Sequence, residues 1–137
     1  MDIESKVNYY SSLSFNELEK ECGYNYQKVF YYVKENYPKV NPNHLLVGII
    51  FTSIASDGKF SEGEWKFVRS FIGGYSYEEA FTQIQGFYNE EAKRIAKDVL
   101  RKLPYDIKDA LINVIVSVLC VDGRNNSYEE EFINRIL

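Results

Sequence analysis

Residues 45–72, LLVGIIFTSIASDGKFSEGEWKFVRSFI, place a nearly unbroken apolar run before Asp57-Gly58 and an amphipathic stretch after it. Residues 110–137, ALINVIVSVLCVDGRNNSYEEEFINRIL, repeat that order at an offset of 65 residues. Leu46/Leu111, Ile50/Ile115, Asp57/Asp122, Gly58/Gly123, Glu64/Glu129 and Phe67/Phe132 are identical pairs. Val47/Ile112, Ile54/Leu119, Lys59/Arg124, Val68/Ile133 and Ile72/Leu137 are similar ones. Because the matches cover a buried run, a turn and an amphipathic continuation in one order, they define an internal repeat. Each copy reads as helix–loop–helix. The β-branched cluster Val114-Ile115-Val116 also suits a strand, but a run from about Asp106 to Val121 is too long for one, and helix is favoured. Apolar nearly all round, both first helices are expected at the centre of the fold.

Outward from the repeat, the rest of the chain also reads as helical. Ser76-Tyr77-Glu78-Glu79 has capping-box spacing and opens a helix carrying Ala80, Phe81, Ile84 and Phe87. Gly73-Gly74 stops the helix before it. Asn89 caps a further helix whose Ile95, Val99 and Leu103 form an apolar side up to Pro104. Residues 1–41 are polar and rich in tyrosine, yet Ser14-Phe15-Asn16-Glu17 is another capping box. Cys22-Gly23 is expected to interrupt that helix. Val29, Phe30, Val33 and Tyr37 then form a stripe that packs on the core and ends at Pro38 and Pro42. The expected fold class is all-α, a compact bundle of about seven to eight helices with an internal pseudo-twofold repeat (copies 45–72 and 110–137). At 137 residues with 45% hydrophobic content, the chain reads as a single domain, 1–137.

The two loops carry the chemistry. Gly58 is suited to end the preceding helix in a left-handed turn, and Ser61 to cap the next one with Glu64 at the capping-box position, turned back toward Asp57. Two carboxylates, a hydroxyl and loop carbonyls are hard oxygen donors suited to Ca²⁺ or Mg²⁺. The second loop offers Asp122 and Glu129, with Asn126 in place of Ser61. Capping alone accounts for Glu64 and Glu129, because a carboxylate at a helix N-terminus is stabilised by the dipole. It does not account for Asp57 and Asp122, which follow the negative end of a helix dipole and need a compensating charge. Lys59 and Arg124 offer one and a metal offers another, so both readings stand. The spacing is not that of an EF-hand, since Asp57 to Glu64 spans eight positions where that loop needs twelve.

The quoted loops, Ala55 to Glu64 and Cys120 to Glu129, resemble the paired motifs of TerB-like tellurite-resistance domains, and the resemblance covers about residues 43–137. It implies an all-α pseudo-twofold core over 42–137; residues 1–41 lie outside the motifs, and their reading as a tyrosine-rich helical extension packed on the core rests on the capping box and apolar stripe above. It also implies that Asp57, Glu64, Asp122 and Glu129 bind a divalent cation (Ca²⁺, Mg²⁺ or Zn²⁺), and that the domain acts by protein–protein interaction in a bacterial tellurite or stress response. Phe60 becomes Asn125 in the second loop, so that loop is expected to pack more loosely and bind metal less well.

Other chemistries lack their parts. The formal charge of −4 and the absence of a Lys/Arg cluster argue against nucleic acid. Neither apolar run, about a dozen residues each, reaches the roughly 20 that a bilayer span requires. The N-terminus has no basic start or apolar core of a signal peptide, which points to the cytoplasm. Cys22 and Cys120 have no metal-site spacing and read as buried, reduced thiols. His44 is the only histidine, and no phosphate-binding loop occurs. Trp65 reads as core. The chain is therefore expected not to be an enzyme; a scaffold without metal is the alternative, and a metal-dependent hydrolase the least supported reading. Partner identity and oligomeric state are not encoded in these patterns.

Overall fold

The computed structural model describes residues 3–39, 41–54, 62–69, 78–79 and 90–121. Among them are six bounded helices and no strand: α1 (Ile3–Ser11), α2 (Phe15–Asn36), α3 (Pro42–Ile54), α4 (Glu62–Arg69), α5 (Glu90–Lys102) and α6 (Tyr105–Cys120). The chain is all-α over these residues. Glu78 and Glu79 are also helical and exposed. Both Asp-Gly turns, the Ser61 and Asn89 caps, Gly73-Gly74 and the Ala80–Phe87 segment lie outside the described residues.

α6 is the central helix, packed against α1, α2, α3 and α4. Residues 114 to 119 are all buried, so the helix has no solvent face over that span. Its β-branched residues carry a modest helix-propensity cost. Burial of each large aliphatic side chain, worth about 1.5–3 kcal/mol, outweighs it. The segment is thus a helix, as its length predicts. Pro104 serves as its N-cap, and the Pro104 carbonyl accepts from Lys108 N at 2.9 Å.

α2 is the longest element. At Ser14 the backbone is extended and the predicted capping box is complete, with Glu17 N donating to Ser14 Oγ and Ser14 N donating to Glu17 Oε1, both at 3.2 Å. Those bonds from Ser14 hold the Glu17 carboxyl below the usual carboxylate range. Leu18, Cys22, Tyr26, Val29 and Val33 form the buried stripe, repeating at three and four residues.

The expected break at Cys22-Gly23 does not occur. α2 runs through both residues because Cys22 lies within the buried stripe, wholly inaccessible, and packing on either side of Gly23 holds the helix against glycine's intrinsic cost. It ends instead before Pro38, which disfavours helical backbone at Tyr37. Pro42, expected to help end this helix, opens α3, where a first helical position needs no N–H donor.

The remaining elements complete the core. α3 buries Leu45, Leu46, Ile49 and Ile50, and packs on α2 and α6. Trp65, Phe67 and Val68 of α4 are buried, as expected of Trp65, and Phe67 meets Phe15 edge to face at 5.8 Å. α5 contributes Leu100, then Leu103 just beyond its end.

Candidate functional site

Of the four carboxylates the sequence singles out, Asp57, Asp122 and Glu129 lie outside the described residues. Glu64 is the third residue of α4. The structure therefore brings none of the four together or apart. Among the described residues, no group of three or more His, Cys, Asp or Glu side chains gathers as a metal-ligand set. α3 ends at Ile54, three residues before Asp57, and α6 ends at Cys120, two residues before Asp122.

A polar cluster that the sequence reading did not single out lies where α1, α2 and α6 meet. Lys6 Nζ stands 2.8 Å from Asp109 Oδ1 and also donates to Asn113 Oδ1. The lysine side chain is 6% exposed and the aspartate side chain 36%. Asn113 Nδ2 passes the network on to Asn25 Oδ1 at 3.3 Å, and Asn25 Nδ2 donates to the Glu21 carbonyl at 2.8 Å. One turn further along α6, the Ser117 hydroxyl donates to the Asn113 carbonyl at 2.6 Å. A charge buried this deeply requires a partner ion and hydrogen bonds, and this cluster supplies both.

Its chemical capacity is positional. Lys6 is held between a carboxylate and an amide, with no nucleophile or electrophile assigned to it, and the network fixes α1 against α6 in one register. A signal for it was present in the sequence. Asn113 interrupts the apolar run Ala110–Val121, and a polar side chain inside a core helix calls for a hydrogen-bonding partner.

The same seam holds both cysteines, which are free. Cys22 is buried with its thiol 3.9 Å from the Val114 carbonyl, and burial pushes its pKa strongly up. Cys120 is partly buried, facing Ser11 Oγ at 3.4 Å and the Val7 carbonyl at 3.8 Å, and desolvation raises its pKa too. Both thiols are therefore poor nucleophiles at neutral pH. Tyr10 of α1 is buried, and desolvation pushes its hydroxyl up to about 12. Tyr9 beside it donates to Glu21 Oε1 at 2.6 Å, and that hydrogen bond raises its pKa.

No protein-family model, curated protein or solved structure matches the chain. Among the described residues, no helix is long and apolar enough to cross a membrane.

Proposed function

We propose that this chain is a TerB-like helical module that binds a divalent cation weakly at two Asp-Gly loops and acts by protein–protein interaction in a bacterial tellurite or stress response. One observation carries the reading. Shifted by 65 residues, α3 falls on residues 107–119, within α6, and its four core positions match in burial as well as in place. Leu45/Ala110, Leu46/Leu111, Ile49/Val114 and Ile50/Ile115 are buried in both copies. A repeat in sequence accompanied by a repeat in burial favours a duplicated helix–loop–helix over coincidence, and in each copy the Asp-Gly pair begins seven residues after the last of these core positions.

In this reading Asp57 and Glu64 form the first cation site, and Asp122 and Glu129 the second. Carboxylate oxygens are the ligands that Ca²⁺ and Mg²⁺ prefer. The metal would offset the unfavourable meeting of an aspartate with the C-terminal end of a helix dipole. The first loop is proposed as the stronger site because it carries apolar Phe60 where the second has Asn125. The module works in the cytoplasm without catalysing a reaction, since the loops supply carboxylates but no positioned base or nucleophile.

Chemical-shift titration with Ca²⁺, Mg²⁺ and Zn²⁺ tests the proposal. Saturable shifts centred on residues 57–64 and 122–129 are the expected result. Flat titrations with all three ions would leave a scaffold that binds no metal. A tellurite-sensitivity assay on a deletion strain, complemented by wild type and by Asp57→Asn, tests the stress-response half separately.

A further inference from the structure

We infer that the exposed face of α2, formed by Lys20, Tyr24, Lys28, Tyr31 and Lys34 with Tyr105 beside it, docks an acidic segment of a protein partner. The inference rests on the protein-interaction half of the reading above and uses none of the loop carboxylates. The five α2 residues recur at intervals of four, four, three and three, opposite the buried stripe of the same helix, so they share one face. They span roughly 21 Å of helix. Tyr24 is 71% exposed, Tyr31 56% and Tyr105 80%. Large rings left this open are an unusual use of apolar surface, and tyrosine is enriched at protein interfaces because it adds contact area at small entropic cost.

Charge indicates the partner. The chain carries 20 acidic against 16 basic residues. Between Lys20 and Lys34, however, the exposed positions of α2 are three lysines, two tyrosines and Gln27, with no carboxylate among them. Glu21 is turned aside toward the Tyr9 hydroxyl. Lys28 reaches Asp106 at 4.0 Å, tying this face to the first turn of α6, where Tyr105 stands. Arg101 and Lys102, both exposed, lie just before that turn in the chain, Lys102 being paired with Asp98 at 3.4 Å. Tyr31 is held edge to face against Phe30 at 5.7 Å, so less ordering remains to be done on binding. A surface hollow lined by Lys20, Gly23, Tyr24 and Gln27, with Asn16, Tyr26 and the Glu19 carboxylate also on its wall, opens on the same side and can seat an apolar anchoring side chain between the partner's carboxylates.

A short acidic segment fits better than a nucleic-acid strand. Glu17 and Glu35 of α2 and Asp106 at the start of α6 are exposed around the patch, and a long polyanion would meet them as well as the lysines. A few carboxylates placed locally need meet only the lysines.

The test uses the whole protein, isotope-labelled, titrated with three probes: a synthetic Glu-Leu repeat peptide, the same peptide with Gln replacing Glu, and an oligothymidylate. Saturable shifts at residues 20–34 and 105 with the Glu peptide are expected, weakening as salt is raised and absent with the Gln peptide. The triple variant Lys20→Glu, Lys28→Glu, Lys34→Glu should abolish them, and Tyr24→Ser with Tyr31→Ser should weaken binding about tenfold. All five positions are exposed, so the variants should keep the wild-type circular dichroism. Equal response to the Gln peptide, no shifts, or tighter binding of the oligothymidylate would overturn the inference. The charge-reversed variant should titrate with metal as wild type does, which separates this outcome from the fate of the loop proposal.

Discussion

Lys6 Nζ and Asp109 Oδ1 stand 2.8 Å apart across the contact between α1 and α6, and the lysine is almost completely shielded from water. The pair is asymmetric, since Asp109 keeps about a third of its side chain in solvent while Lys6 keeps almost none. Removing the aspartate strands a buried cation, whereas removing the lysine leaves a carboxylate that water can reach. Asp109→Ala is therefore expected to destabilise by about 3 kcal/mol, and Lys6→Met by less, about 1 kcal/mol, from the donor lost to Asn113. Urea unfolding of both variants checks the order. Equal losses would contradict the asymmetry.

Gly23 lies inside a continuous helix, and a Cβ built there meets nothing within 4 Å. Gly23→Ala should thus stabilise the protein by about 0.5–1 kcal/mol, the usual difference between these residues in a helix interior. A thermal melt reads this as a rise of a few degrees. A fall would mean that the site needs glycine for a reason beyond helix packing.

Cys22 and Cys120 should differ in their reaction with a thiol reagent. Cys22, buried and with its pKa raised, should label only at the rate of global unfolding. Cys120, partly exposed, should label faster in the native state. Stopped labelling followed by peptide mapping distinguishes them, and native-state labelling of Cys22 first would contradict the burial.

Tyr10 gives the protein an alkaline limit. Its hydroxyl ionises near 12 when folded against 10 in its ordinary state, so the folded form holds the proton more tightly. The stability contributed is complete below pH 10 and is lost as pH rises through about 12. Tyr10→Phe, which cannot ionise, should lose less stability over that window than wild type. Glu17 acts in the opposite sense, because its carboxyl is lowered: its contribution is present above the ordinary carboxylate pKa and is lost as pH falls through the lowered value.

Much of the helical structure could be read from residue patterns because its causes are local. The Ser14 capping box, the Val29/Val33 stripe and the stop before Pro38 each rest on a few neighbouring residues. So does the mostly apolar run from Ala110 to Cys120 of α6. What escaped the reading depended on distant partners. Gly23 was expected to break α2 because glycine's cost is local, while the packing that outweighs it comes from other elements. Lys6 and Asp109 lie 103 positions apart, and no periodicity in either segment announces the other. Asn113 alone hinted at the network. The loop carboxylates rest on the repeat and the motif, with Glu64 placed in the first turn of α4.

The central claim, two cation loops in a duplicated fold, is tested most directly by the melting temperature of the protein against increasing Ca²⁺ or Mg²⁺, for wild type, Asp57→Asn and Asp122→Asn. A ligand that binds only the folded state raises stability in a saturable way set by its affinity. The expected result is such a rise for wild type, reduced more by Asp57→Asn than by Asp122→Asn and absent in the double variant. Melting temperatures that ignore both ions, or that rise equally in the double variant, would contradict it.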